Sequence, residues 1–203
     1  KIDKKNNGIY FTPPATINTN LDLLAPYMSN INSVLEPSCG SCEYLLALNN
    51  KYSGKNITGI EFNKTIYNSI KSLEVDNIEL HNENYLTYDE NKKYDLIIGN
   101  PPYYVMKKKD VNVQYHNYFN GRPNIFILFI IKSLKSLNSG GILSFVLPKN
   151  FLNCLYYDKT RKYILNNFKI LNILECNDDY IETAQATVII IIQKSIDISD
   201  NNK

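Results

Sequence analysis

Between Ala15 and Met28 the apolar residues Ile17, Leu21, Leu24 and Met28 recur at helical spacing, so this stretch predicts an amphipathic helix. The short apolar run Val34-Leu35 closes on Glu36-Pro37. A turn of small residues follows, and then a helical run over Glu43 to Leu48. Asn56 to Glu61 reads as a strand, Ile66, Ile70 and Leu73 mark another helix face, and Asn77 to His81 reads as a short strand. Tyr94 to Gly99 is a strongly apolar strand bounded by Asn100-Pro101-Pro102. A helix is predicted over Asn124 to Leu137, ended by Gly140-Gly141, then a strand over Ile142 to Leu147 stopped by Pro148. Phe151 to Phe168 predicts a helix. Lys169 to Glu175 and Thr187 to Lys194 predict two strands joined by a polar connection.

Alternating strands and helices imply an α/β fold, a mostly parallel sheet with helices on both faces. Two successive strands at the end imply an antiparallel insertion at one edge. Ligands of such sheets sit beyond the carboxyl ends of the strands, which points to Glu36-Pro37, Glu61, Asn84 and Asn100.

The chain has 203 residues, 44% hydrophobic and 21% charged, which fits one domain with a real core and excludes general disorder. No apolar run approaches the roughly 20 residues a bilayer span needs, and no secretory signal opens the chain. Four cysteines are too few for a disulfide scaffold, so a reducing, intracellular (cytoplasmic) setting is expected. A net charge of +2 neither demands nor forbids a nucleic-acid partner. The chain opens at Lys1, as a piece of a longer protein would, and residues from Ser195 to Lys203 read as a polar tail or linker.

The sharpest chemical signal is Asn100-Pro101-Pro102-Tyr103 at the end of a strand. Asn and Pro are ordinary turn residues, but two prolines also fix the backbone and remove two amide donors. What remains is a rigid pair of acceptors beside an aromatic ring, which suits a planar NH2 group. The second signal is the small-residue loop Glu36-Pro37-Ser38-Cys39-Gly40-Ser41-Cys42, where backbone amides can approach a ligand. Cys39 and Cys42 also spell C-x-x-C, but Cys154 and Cys176 are isolated and make a poor second half of a metal site, so no metal is expected. The third is Glu61, an acid about 20 residues after the turn, where related folds bind a ribose diol; the alternative is an exposed strand-end carboxylate. The fourth is Asn84-Tyr85-Leu86 after the third strand.

Together these features resemble the S-adenosylmethionine-dependent DNA adenine-N6 methyltransferases of the Asn-Pro-Pro-Tyr type, in the arrangement where cofactor motifs precede the catalytic one. Tyr10-Phe11-Thr12-Pro13-Pro14 resembles the N-terminal cofactor motif, Glu36 to Ser41 the main cofactor loop, and Glu61, with its neighbour Phe62, the ribose-binding acid. Asn84-Tyr85-Leu86 stands where the family has Asp-aromatic-Leu, whose acid contacts the cofactor adenine. Asn100 to Tyr103 is similar to the catalytic motif. Phe129 sits where the family places a ring near the cofactor, and Tyr180 where an aromatic helps hold the flipped base.

The resemblance implies a Rossmann-like methyltransferase fold, a mostly parallel seven-stranded sheet with an antiparallel edge strand, over residues 1–194. It implies S-adenosylmethionine as cofactor and DNA with a flipped adenine as partner. The side-chain carbonyl of Asn100 and the main-chain carbonyl of Pro101 would hold the amine, and Tyr103, with Tyr180 as a second ring, would stack on the base. Residues Tyr104 to Gly121, with Lys107, Lys108 and Lys109, and Arg122 after them, read either as a solvated loop or as phosphate contacts. Three departures stand out: Cys42 replaces a second glycine, Asn84 replaces Asp, and the usual target-recognition region is expected on sequence or a partner outside this chain. Rival readings are methylation of a protein glutamine amide or an RNA amine by the same motif, and an inactive methyltransferase-fold scaffold.

Overall fold

The computed structural model describes residues 12–73, 75–89, 91–176 and 186–195. Helix α1 (Pro14–Leu24) starts with proline at its first position, where the missing N–H costs nothing, and continues as a 3-10 segment (Ala25–Asn30). Then come β1 (Ser33–Glu36), α2 (Glu43–Lys51), β2 (Asn56–Ile60), α3 (Lys64–Ile70), β3 (Ile78–His81) and β4 (Tyr94–Gly99). The chain continues through α4 (Ile125–Lys135), β5 (Leu137–Pro148), α5 (Asp158–Asn167), β6 (Phe168–Cys176) and β7 (Thr187–Lys194).

The seven strands form one sheet in the order β3-β2-β1-β4-β5-β7-β6. β1 pairs in parallel with both β2 and β4, so the strand order reverses between β1 and β4. The antiparallel strand is β7, one place in from the edge between β5 and β6. Alternate residues serve opposite faces. Leu35, Ile97, Phe145 and Ile190 pack with α4 and α5, while Val34, Leu96, Ile98, Val146 and Ile189 pack with α1 and α2. Buried polar groups tie α1 to the sheet: Ser144 Oγ donates to Asn20 Oδ1 at 2.5 Å, and Asn20 Nδ2 donates to Tyr44 Oη at 3.1 Å. No helix among the described residues is long and apolar enough to cross a membrane.

Four boundaries differ from expectation. The helix expected to run to Leu137 ends at Lys135, and β5 already begins at Leu137. Tyr94 pairs with Leu137 but Leu96 pairs with Ile142, so residues 138–141 bulge from the ladder. Gly141 is required there, since a Cβ would lie 2.9 Å from the Asn138 carbonyl oxygen and 3.0 Å from that of Tyr94. The helix expected over Phe151 to Phe168 is two 3-10 turns followed by α5. The Arg161 guanidinium donates to the carbonyls of Phe151 and Cys154, giving them partners outside a helical ladder. Leu73 lies beyond α3 and is exposed, because Ile70 alone of that face reaches the core. Residues Tyr104 to Gly121 contain two 3-10 segments and bury Val111, Tyr115 and Phe119. Tyr10, Phe11, Tyr180, most of the polar tail and the connection before β7 lie outside the described residues.

Candidate active site

The carboxyl ends of β1 and β4 are adjacent at the reversal of strand order, and the strongest sequence signals meet there. Gly99 has φ +145°, and a Cβ on it would lie 3.1 Å from Glu36 Cγ, so glycine lets the Glu36 side chain pack against the backbone that leads into Asn100. Asn100 is held on three sides. Its Nδ2 donates to Thr12 Oγ1 at 3.1 Å, its carbonyl oxygen accepts from Ser38 Oγ at 3.2 Å, and its Oδ1 accepts from the Tyr103 hydroxyl. The Tyr103 hydroxyl also lies 2.7 Å from the carbonyl oxygen of Val146 on β5, and its ring meets Phe126 edge-on at 6.0 Å. Pro101, which contributes no N–H, is buried beneath the motif.

One cavity runs from this motif to the loop after β1, and Thr12, Glu36, Ser38, Gly40, Tyr44 and Asn100 share its wall. The loop is closed by backbone bonds. Cys39 N–H donates to the Ile60 carbonyl at 2.9 Å, and Cys42 N–H to the Cys39 carbonyl at 2.7 Å. Gly40 N–H donates to Glu61 Oε2 at 3.0 Å, and Asn63 N–H to Glu61 Oε1 at 2.6 Å. Each Glu61 oxygen thus keeps capacity for a further donor. Burial pushes the Glu61 pKa up, and these two N–H bonds pull it partly back. Glu36 is 3% exposed, and its Oε2 has no hydrogen-bond partner. Burial, then the proximity of Cys42, Glu43 and Glu61, drives its pKa well above the usual carboxylate range. A charge buried this deeply needs a partner, so an ionised Glu36 would call for a cationic group in the cavity.

Cys42 stands at φ +70° and is the only non-glycine with positive φ among the described residues. Its backbone has the conformation a glycine would adopt most cheaply, at the position where the sequence departs from the family pattern. Its side chain is fully buried, as is that of Cys39, whose thiol pKa is raised by the hydrogen bond with Cys42 and by burial. Both thiols are free and pack into the core beneath the loop.

Seven expected cofactor residues, Pro13, Pro37, Glu61, Phe62, Asn84, Tyr85 and Phe129, do not line the cavity. Asn84 Oδ1 accepts from Leu86 N–H at 3.0 Å and caps a 3-10 turn, which leaves its NH2 group to face outward. Tyr85 is buried, with its hydroxyl 3.0 Å from Ser133 Oγ and its ring 5.2 Å from that of Phe129, so these two rings brace the turn from below. Lys132 adds a bond from Nζ to the Tyr88 carbonyl at 2.6 Å. Pro13 stands at the head of α1, where its carbonyl accepts from Ile17 N–H. Phe62, directly after Glu61, is 75% exposed and offers an open apolar plate. Tyr44 and the Val146 carbonyl escaped the sequence reading. Tyr44 sits in the first turn after the small-residue loop, and Val146-Leu147-Pro148 resembles the family's pattern in order, but neither is given a site role by the sequence alone.

Comparison with known proteins gives the family and the fold. The sequence profile of the Eco57I restriction-modification methylase family matches residues 16–181, which is most of the chain. The chain belongs to that family. Among its relatives, the modification methylase CviBIII of Paramecium bursaria Chlorella virus NC1A is 30% identical over 96% of this chain and 52% of its own length. A tRNA1(Val) (adenine(37)-N6)-methyltransferase of Pseudoalteromonas translucida is 27% identical over 60% of this chain and 54% of its own. The fold is the Rossmann-like methyltransferase fold. A Listeria monocytogenes protein described as a class I S-adenosylmethionine-dependent methyltransferase superposes with a TM-score of 0.73 at 18% identity, over 93% of this chain and 61% of that one. The chain spans about half, or less, of the length of the curated relatives it matches. Asn100 to Tyr103, Glu36 and Glu61 lie within the matched residues, as does Cys42 with its positive φ.

Proposed function

We propose that this chain transfers a methyl group from S-adenosylmethionine to the N6 amine of an adenine flipped out of DNA. The observation that carries the proposal is the junction of two sites: the amide of Asn100 lines the same cavity as the buried carboxylate of Glu36. The residues present fit the cofactor. The unpartnered Glu36 oxygen suits its cationic amino-acid end, Glu61 has room for hydroxyl donors from a ribose, and Phe62 offers a face for a base. Gly40 leaves open space, with no atom within 4 Å of where a Cβ would stand. Asn84 would offer its NH2 as a donor where an aspartate would accept. When bound, S-adenosylmethionine supplies an electrophilic methyl group on a sulfonium.

The chain's own contribution is orientation. The N6 lone pair of adenine is delocalised into the ring, so the amine is a poor nucleophile. Asn100 Oδ1 and the Pro101 carbonyl accept its two hydrogens and favour a tetrahedral nitrogen, which frees the lone pair for in-line attack. Such alignment is worth on the order of 7–11 kcal/mol. No strong base is needed, since the nitrogen becomes acidic only after transfer and its extra proton then passes to water. His116 fits this account, with its ring Nε2 3.0 Å from the Val111 carbonyl, away from the motif. For Tyr103 to stack on a flipped base, its hydroxyl must leave Asn100 Oδ1, the atom the amine requires. Extruding a base costs a few kcal/mol, and an aromatic platform returns about 1–3 kcal/mol. The missing half of the relatives' length is where target recognition would reside.

A second reading, an RNA adenine amine as substrate, is favoured by the similarity to a tRNA methyltransferase. Incubation with labelled S-adenosylmethionine and either unmethylated DNA or tRNA, followed by hydrolysis and nucleoside chromatography, separates the two. N6-methyldeoxyadenosine is the expected product, and label confined to tRNA overturns the DNA assignment.

A further inference from the structure

Asn100 has two chemically opposite ends, and only one is useful. Oδ1 can accept a hydrogen from an amine; Nδ2 cannot, and a half-turn of the amide exchanges them. The Tyr103 hydroxyl does not fix the choice. It has a single proton and two acceptors within reach, Asn100 Oδ1 and the Val146 carbonyl. When that proton goes to Val146, whose carbonyl can only accept, the phenol oxygen receives Nδ2 as readily as it serves Oδ1. The backbone of Asn100 is already held by Ser38 Oγ and by the close packing of Gly99 on Glu36, which leaves the amide torsion as the open variable.

The other contact of the amide is Thr12 Oγ1, at 3.1 Å from Nδ2. Thr12 is 8% exposed, stands just before α1, and lines the cavity with Glu36, Ser38 and Gly40. A hydroxyl can give a proton or take one, so with no acceptor in the cavity it satisfies either amide orientation. An acceptor in the cavity removes that freedom: it takes the Thr12 proton and leaves only lone pairs facing Asn100. The amide must then present Nδ2 to Thr12, and Oδ1 faces the substrate side.

We propose that Thr12 is a positioning residue that couples occupancy of the cofactor cavity to the orientation of the Asn100 amide, so that the catalytic carbonyl faces the amine only when the carboxylate of the cofactor has engaged the Thr12 hydroxyl. The inference rests on the methyltransferase reading above. It makes Thr12 a reporter between the two sites rather than one more cofactor contact.

The test uses the full chain, 15N-labelled, with S-adenosylhomocysteine as the probe. The Asn100 side-chain NH2 signals are assigned by their loss in Asn100→Ala. In the wild type, the probe should slow their exchange with water by about fivefold or more, the lower range of allosteric coupling. In Thr12→Val the probe should bind about tenfold to a hundredfold more weakly by calorimetry, the loss of a hydroxyl bond to a carboxylate, yet at saturation it should change that exchange by less than about twofold. Methyl transfer should fall roughly tenfold to a hundredfold in Thr12→Val even at saturating cofactor, a loss of kcat separate from the rise in the cofactor KM. Thr12→Ser, which keeps the hydroxyl, should restore both readouts. A Thr12→Val protein that retains the slowed exchange, or wild-type kcat, overturns the proposal. A folded wild type that binds no probe overturns the methyltransferase reading instead, and that result is seen before any variant is compared.

Discussion

The cradle formed by the loops after β1 and β2 and the rim formed by residues 101–124 and 149–157 lie at the same end of the sheet, yet they are built on different principles. The cradle is closed: Glu36 and Glu61 are buried, and Glu61 is bracketed by two main-chain N–H groups. The rim is open. Val113 is 76% exposed and Leu155 81%, and Lys107, Lys108, Lys109 and Arg122 are all exposed with no ion pair to another described residue. Its backbone is nevertheless anchored, since Arg161 grips the carbonyls of Phe151 and Cys154, and Asn120 N–H donates to the Tyr156 carbonyl at 3.2 Å. Buried acids on a fixed loop suit a small polar ligand. A firm surface that mixes apolar side chains with cations suits a large polyanion with exposed bases. Asn100 is the seam between the two.

The strongest way to break this division is at the seam. Asn100→Ala should reduce methyl transfer by about a hundredfold or more, with calorimetric affinity for S-adenosylmethionine within a few-fold. A variant that turns over normally would contradict the role given to the amide. Within the cradle, Glu61→Ala should weaken cofactor affinity by roughly tenfold to a hundredfold, the worth of hydrogen bonds to a charged acceptor, and leave DNA affinity unchanged. Equal losses for both ligands would erase the distinction between cradle and rim. On the rim, replacing Lys107, Lys108 and Lys109 by Gln should lower the slope of log K for DNA against log salt by up to about three, without moving cofactor affinity. An unchanged slope would make these lysines a solvated loop.

A pH series sharpens the cradle side. Burial raises the Glu36 pKa above its ordinary value of 4.5, so the folded state holds a proton that the unfolded chain has lost. The stability tied to that proton is full below about pH 4.5 and is lost as pH rises through the raised value. Glu36→Gln should therefore melt above the wild type at pH 8, with the gap closing towards pH 5, while binding cofactor about tenfold more weakly. A gap independent of pH would mean that Glu36 is not the buried acid described. The smallest effect is expected at Cys42. Glycine there removes a left-handed strain of about 1–2 kcal/mol but empties the place of a buried thiol, so Cys42→Gly should shift stability by about 1 kcal/mol or less in denaturant titration. A larger loss would make the thiol a structural keystone of the loop.

Much of the cradle was legible in the sequence because its determinants are local. Leu96, Ile97 and Ile98 announce a strand buried on both faces, and Gly40 and Glu61 lie in the loops that follow consecutive strands, which the parallel sheet brings together. What escaped depends on tertiary contact. Gly140-Gly141 reads as a helix stop, but it forms the bulge that lets β5 start early beside Tyr94. The 3-10 turns before α5 depend on Arg161, which follows them in the chain. No spacing reveals that Tyr85 and Phe129 face each other in the core rather than the cavity, or that Asn84 spends its oxygen on a cap.

The proposed mechanism has Asn100 present a carbonyl to a planar exocyclic amine beside the cofactor cradle. It is tested most directly by incubating the full chain and its Asn100→Ala variant with isotopically labelled S-adenosylmethionine and unmethylated DNA, then identifying the labelled nucleoside. N6-methyldeoxyadenosine is expected from the wild type and none above background from the variant. Label on another nucleoside, or equal label from both proteins, would contradict it.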